Sequence, residues 1–371
     1  MQCPRCLNQD EKYFYHYQQK TICRYCIHLD GLRVDPSISI EGSNYEASLP
    51  FELSDVQQQV SEWITNYGFD QDLLISAVCG AGKTEMVIPF VSEALKKGLK
   101  IGWMIARRQV VLQLQQRLQQ VFADMKVIAV CQGHTTDLVG DLVLCTAHQL
   151  YRFPKYFDIL IIDEPDAFPY VNDPLLEGLA KVACCGHFIY LTATPTRELI
   201  QSVDRTIEVH RRPHYRDLVE PSVRYMPQII MDFWIRYLIE KQEGPWLIFV
   251  PSIRKANQLA RFLRCDVLTS QSENSELVVG RFSNQETKVL VSTTVLERGV
   301  TFNEVSVVVL MANSASFSEA ALIQMNGRVG RSFKSLKGDC YFLCDQRSAM
   351  VDQVLASIRK HNQAVFYVSE I

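Results

Sequence analysis

From about residue 70 onward, short apolar runs alternate with longer polar stretches of helical period. Runs at 72–78, 100–105, 126–130, 141–145, 158–162 and 188–191 read as strands, and 85 to about 97 as a helix. The alternation restarts after a less regular stretch holding Arg211, Arg212, Pro213, Arg216 and Pro221. Strands are then expected at 246–250, 288–291, 305–311 and 339–343, with helices at 226–241, 253–264 and 317–326. Strand–helix alternation in two blocks predicts two α/β lobes with parallel sheets. Residues 36–50, with Pro36, Gly42 and Pro50, read as a linker. The expected division is therefore 1–35, 36–50, 51–210 and 211–371.

Composition narrows this picture. The 371 residues, 47% hydrophobic and 21% charged, carry enough apolar material for two cores and little case for general disorder. No apolar run reaches the length of a membrane span, and no basic-then-apolar leader opens the chain, so a cytoplasmic protein is expected. Lys and Arg number 38 against 41 Asp and Glu, a net charge of -3. That balance argues against nucleic-acid binding by bulk positive charge while leaving room for a local track.

Four of the twelve cysteines lie in the first 26 residues. Cys3-Pro4-Arg5-Cys6 and Cys23-Arg24-Tyr25-Cys26 form two C-x2-C pairs separated by sixteen residues. Two residues between thiols let both sulfurs face one tetrahedral ion, and the spacer suits a hairpin that returns the second pair. A structural Zn2+ on Cys3, Cys6, Cys23 and Cys26 is expected; a redox motif would follow a strand and would not come doubled. So small a segment needs the metal to fold. Between the pairs runs Tyr13-Phe14-Tyr15-His16-Tyr17. It reads either as a base-stacking platform or as a hairpin whose rings cover the metal site. The second reading is favoured, because residues 1–35 hold only five Lys/Arg against four Asp/Glu.

The run at 72–78 leads into Cys79-Gly80-Ala81-Gly82-Lys83-Thr84 and then a helix, the order of a P-loop with Ala77 in place of its first glycine. Gly80, Ala81 and Gly82 would cradle phosphates, Lys83 would reach the β- and γ-phosphates, and Thr84 would hold Mg2+. Eighty positions after Lys83, the run Ile159-Leu160-Ile161-Ile162 ends in Asp163-Glu164-Pro165-Asp166. Asp163 at a strand's carboxyl end suits the Mg2+ shell, and Glu164 beside it suits deprotonation of water. In the second block, Gln324-Met325-Asn326-Gly327-Arg328-Val329-Gly330-Arg331 places two guanidinium groups three residues apart, expected on one helix face. Arginines of this kind stabilise charge on a transferring phosphoryl group.

The motif order over 53–331 resembles a superfamily 2 helicase or translocase: Gln57, the P-loop, Asp163-Glu164, Thr192-Ala193-Thr194, Arg298-Gly299 and Gln324 to Arg331. Two RecA-like lobes with parallel sheets, plus the small zinc-binding module, are what that resemblance implies. The four-cysteine N-terminus, Asp-Glu-Pro-Asp-Ala-Phe-Pro-Tyr at 163–170 and Thr-Thr-Val-Leu-Glu-Arg-Gly-Val-Thr-Phe at 293–302 narrow the resemblance to the ComFA family of late competence ATPases. It implies a single-stranded-DNA-stimulated ATPase at the inner face of the membrane, without direct insertion, with ComEC as the channel and ComFC as a soluble partner; an oligomer is compatible with it. By the same resemblance Gln57 reads adenine, and Gln324 and Gly299 line the ATP site. Thr192, Thr194 and Arg298 couple nucleotide state to movement. Arg328 and Arg331 complete the site from the second lobe, with Arg331 as the finger. Arg107, Arg108 and Thr146 lie where the family's DNA-backbone motifs sit. The cofactors implied are ATP, Mg2+ and Zn2+. Two other readings stay open: a duplex-unwinding replication or repair helicase similar to PriA, and an ATP-switched protein adaptor.

Overall fold

A computed structural model describes residues 1–18, 20–42, 46–297, 302, 304–330, 338–364 and 367–370. The N-terminal hairpin is β1 (Phe14–Tyr17) against β2 (Lys20–Cys23). After it come α1 (Asp55–Tyr67), β3 (Leu73–Ala77), α2 (Lys83–Lys96), β4 (Ile101–Ile105), α3 (Arg108–Val121), β5 (Val127–Val130), β6 (Leu142–Thr146) and β7 (Phe157–Asp163). Then follow α4 (Pro174–Ala183), β8 (Cys184–Thr192), α5 (Arg197–Ser202), β9 (Arg205–Val209), β10 (Ser222–Tyr225), α6 (Gln228–Lys241), β11 (Trp246–Phe249) and α7 (Ile253–Leu263). The chain closes with β12 (Asp266–Leu268), α8 (Ser275–Ser283), β13 (Val289–Ser292), β14 (Ser306–Leu310), α9 (Glu319–Asn326), β15 (Cys340–Cys344), α10 (Ala349–Gln363) and β16 (Val368–Glu370). Two compact units result: residues 1–77, 82–209 and 368–371 form one, and 78–81 with 210–367 the other.

The first unit holds an eight-stranded sheet in the order β16-β9-β3-β8-β7-β4-β6-β5. Its strands are parallel except β16, which runs antiparallel to β9. Every residue of β3 and of β4 is buried, as strands covered on both faces must be. Residues 368–370 read from sequence as part of the second lobe; three residues carry no periodic signal, and here they complete the first unit's sheet.

The second unit holds six parallel strands in the order β10-β15-β14-β11-β13-β12. Alternate residues of β11 feed opposite faces: Leu247 and Phe249 join one apolar cluster, Trp246 and Ile248 the other. Helix starts follow local capping chemistry. Ser54 and Gln57 form a reciprocal capping box on α1, and the Asp173 carboxylate accepts two amides before Pro174 opens α4.

The cysteine segment packs on the first unit instead of standing apart. Cys3, Cys6, Cys26, Leu29 and Val34 share a core cluster with Leu175, Leu176 and Leu179 of α4. Val34 N donates to Arg152 O at 2.7 Å, and the Tyr151 hydroxyl donates to Asp30 O at 2.7 Å. The stretch read as a linker is pinned in the same way: Ala47 N reaches Ser92 Oγ, and Ser48 N reaches Val121 O.

Candidate functional site

Strand register gathers the first unit's chemistry at one sheet edge. Thr192 ends β8 and Asp163 ends β7; Ile105 at the end of β4 lies level with Asp163 on one side and Thr146 on the other. The P-loop leaves the carboxyl end of β3, between the tips of neighbouring strands, where parallel sheets bind ligands.

At that edge Gly80 and Gly82 adopt φ of +83° and +85°, and α2 starts at Lys83. Two left-handed glycines turn successive amides inward, and a glycine N-cap carries no side chain to occupy the helix start. Gly82 has a second constraint: a Cβ there would lie 2.2 Å from Gln57 Nε2. Gln57 is buried, and its Oε1 accepts from Ser54 N at 3.1 Å. It is thus both the helix-start residue of α1 and a wall of the phosphate turn.

Lys83 Nζ lies 3.1 Å from Glu164 Oε1, with the two side chains 12% and 20% exposed. It also approaches Ala77 O at 3.4 Å. Glu164 itself has φ +57°, a conformation that costs a side-chain-bearing residue about 1 kcal/mol or more, and its amide is held by Leu191 O at 2.8 Å. The main chain is strained so that this carboxylate turns toward the P-loop lysine.

Asp166, passed over in the sequence as the tail of Asp-Glu-Pro-Asp, has a defined place. Its two carboxylate oxygens accept from Thr192 Oγ1 and Thr194 Oγ1, each at 2.6 Å. Thr192 is fully buried. The acidic loop and the threonine segment are therefore one hydrogen-bonded piece, held by two short charge-assisted bonds. The signal available in sequence was two hydroxyls spaced to meet one carboxylate. The nucleic-acid candidates are placed as follows. Arg107 is the N-cap of α3, Arg108 is exposed and donates to Gln132 O at 2.8 Å, and Thr146 is half-buried at the end of β6.

In the second unit, Gln324 and Arg328 are 3% and 1% exposed. α9 ends at Asn326, so Arg328 stands in the following turn and not on a helix face as expected. There the last turn tightens, Arg328 N donating to Met325 O and Val329 N to Asn326 O. Beyond it, Arg212 Nη1 donates to Val329 O and Gly330 O, both at 2.7 Å, and its Nη2 to Gly327 O at 3.2 Å. The turn's carbonyls are thus satisfied by a guanidinium instead of water, and Gly330 takes φ +68°. Arg298, Gly299 and Arg331 lie outside the described residues.

The four N-terminal thiols converge. All four Sγ atoms lie within 4.8 Å of one another, Cys3 to Cys26 at 3.8 Å and Cys6 to Cys23 at 3.9 Å. Sulfurs tetrahedral about zinc at ~2.3 Å are ~3.8 Å apart, so the set fits that ion. Burial raises the Cys6 thiol and pushes Cys26 up to about 11, so holding both as thiolates calls for a cation. Zinc bound there would be a structural cross-link between the hairpin ends. Tyr13 and Phe14 cover this region as expected, Tyr13 packing on Tyr25 at 4.6 Å, but Tyr15 and Tyr17 are 45% and 54% exposed. Among the described residues no helix is long and apolar enough to cross a membrane.

Comparison with known proteins bears on the fold and the family. The family described as the type III restriction enzyme res subunit matches residues 50–197, and the helicase conserved C-terminal domain matches 229–333. Yeast (S. cerevisiae) Dbp5 bound to RNA and ADP BeF3 superposes with a TM-score of 0.65 over 84% of this chain and 88% of that one, at 17% identity. That likeness carries the fold alone, two RecA-like lobes. The chain is an ATP-hydrolysing protein of the superfamily 2 helicase and translocase type. Competence protein ComFA of Streptococcus pneumoniae R6 is 34% identical, covering 97% of this chain and 90% of that protein. Competence protein ComFA of Bacillus subtilis 168 is 32% identical, covering 97% and 84%. Likeness at that level over 97% of the chain means that it belongs to the ComFA family.

Proposed function

We propose that this protein is an ATP-driven translocase on single-stranded DNA that serves DNA uptake in competence. The observation that carries the motor reading is the Lys83–Glu164 pair at the sheet edge, beside Asp166 bound to both threonines. ATP with Mg2+, when bound, supplies the transferable phosphoryl group and the cation that neutralises its charge. Gly80, Ala81 and Gly82 would seat the phosphates, Thr84 and Asp163 would hold Mg2+, and Gln57 would face the base. A phosphate competes with Glu164 for the Lys83 ammonium, and Glu164 so released takes a proton from the attacking water. Movement of Glu164 is passed through the short loop to Asp166 and so to Thr192 and Thr194, which makes the acidic loop a relay from chemistry to conformational change. Gln324, Gly299 and Arg328 complete the site from the second lobe, Arg331 acts as the finger, and Arg298 shares in coupling. Arg107, Arg108 and Thr146 grip the strand.

The family supports DNA as the track and a ComEC-like channel with a ComFC-like protein as partners, at the inner face of the membrane. The test is ATP turnover measured with single-stranded DNA, duplex DNA and RNA at one stated salt concentration. Single-stranded DNA should stimulate most, and Lys83→Ala should abolish turnover. Equal rates with and without DNA would overturn the reading.

A further inference from the structure

Strand alternation gives the β1–β2 hairpin two unlike faces. Phe14 and Cys23, paired in register, turn inward: one packs on the first unit's core and the other joins the thiol cluster. The opposite face carries Tyr15, Tyr17, Lys20, Ile22 and Arg24. A solvated strand face is ordinarily polar, so two large exposed rings there call for an occupant. The Tyr15 and Tyr17 rings lie 13° from parallel with centroids 6.5 Å apart. That spacing is close to two steps of the ~3.4 Å rise between stacked bases. The Arg24 guanidinium stands 4.7 Å from the Tyr15 ring centroid, and Lys20 is the cross-strand partner of Tyr17. From Phe14 to Arg24 there is no Asp or Glu, so a phosphate backbone meets cations only.

We propose that this face is a stacking platform for the bases of single-stranded nucleic acid, with Tyr15 and Tyr17 as the platform and Lys20 and Arg24 as backbone clamps. The inference rests on the translocase reading and adds a contact point outside the two lobes. It also explains how a chain of net charge -3 holds a strand, because stacking on rings tolerates any base and needs little positive charge. Rings on a hairpin whose thiols would be cross-linked at its base when zinc is bound are pre-ordered, so little entropy is lost when a base settles on them.

The test uses the full zinc-loaded chain and fluorescence anisotropy. Labelled oligothymidylate is compared with an abasic strand of equal length and charge. The Tyr15→Ala/Tyr17→Ala variant should raise Kd for oligothymidylate by about tenfold or more and leave the abasic Kd unchanged. Tyr15→Phe/Tyr17→Phe should bind as the parent does, since it keeps the rings, and Tyr237→Ala, which removes an exposed ring elsewhere, should change nothing. An unchanged Kd in the double alanine variant overturns the platform, and so does an equal loss on both strands. Retained DNA binding with lost binding to phosphatidylserine vesicles would assign the face to a lipid surface instead. If the parent chain binds no single strand at all, the translocase reading falls together with the platform; if the parent binds and the variant matches it, only the platform falls.

Discussion

Gly178→Ala separates two opposite expectations. Gly178 lies inside α4, where alanine is favoured over glycine by about 1 kcal/mol. A methyl group there, however, would lie 2.0 Å from Cys6 O and 2.8 Å from Cys6 C. Main-chain atoms would have to retreat by more than an ångström, and the Cys6 Sγ is already packed within 4.8 Å of three other thiols. Inserting a methyl into a packed contact costs about 1–3 kcal/mol, and a rigid target puts the cost at the upper end. The net effect is a loss of about 1–2 kcal/mol, concentrated where residues 1–34 dock on α4. This is about a five- to thirtyfold rise in the undocked fraction. Gly280→Ala in α8 is the matched control: nothing lies within 4 Å of its added Cβ, so only the gain of about 0.5–1 kcal/mol remains. The assay is the rate of metal transfer to a chromophoric chelator, with a denaturant midpoint for each variant. Gly178→Ala should release metal faster while Gly280→Ala raises the midpoint. If Gly178→Ala releases metal at the parent rate and gains stability like Gly280→Ala, the packing of α4 against Cys6 is not as described.

Other expectations follow from the same geometry. Glu164→Gln should bind ATP, measured with a fluorescent analogue, and lose turnover by about a hundredfold or more, because the amide cannot accept the water's proton. Full activity would remove Glu164 from the chemistry. Asp166→Ala should leave ATP binding intact but sharply reduce DNA-stimulated turnover. It removes the acceptor of the buried Thr192 hydroxyl, which keeps only the bond from Thr194 N, at about 1–3 kcal/mol; Asp166→Asn, which keeps one acceptor, should recover part of the loss. Strong chelation should expose residues 7–33 to protease while the sheet cores, monitored by circular dichroism, persist. Stoichiometric metal absent from the purified protein would refute the thiol site.

The parts legible in sequence were those whose partners lie close along the chain. A P-loop is a strand, a turn and a helix start in one stretch, and Cys3, Cys6, Cys23 and Cys26 announce themselves by spacing. Asp163-Glu164 was readable because an apolar run ends there. What escaped depends on partners far away in the chain. Arg212 reads as one cation in an irregular stretch, yet its guanidinium satisfies the carbonyls of a turn more than a hundred residues later. Asp166 gains its meaning only from Thr192 and Thr194. The aromatic run reads either as a stacking platform or as a covering hairpin, and only strand pairing divides it, with Phe14 inside and Tyr15 and Tyr17 outside. Short strands such as β12 and β16, three residues each, hold too few positions for any period to show.

The return of β16 to β9 bears on how the molecule is made. The outermost strand of the first unit's sheet emerges only after all of residues 210–367 have been synthesised, a wait on the order of ten to thirty seconds at ~5–20 residues per second. For that interval β9 is an open edge, able to template pairing with another nascent chain. Its residues blunt the hazard: Arg205 and Glu208 charge the strand, and Arg205 is later claimed by Glu370 at 2.6 Å when β16 arrives. Seen from the ribosome, the second unit is a long parenthesis, and β16 closes a sheet begun with β3 before it.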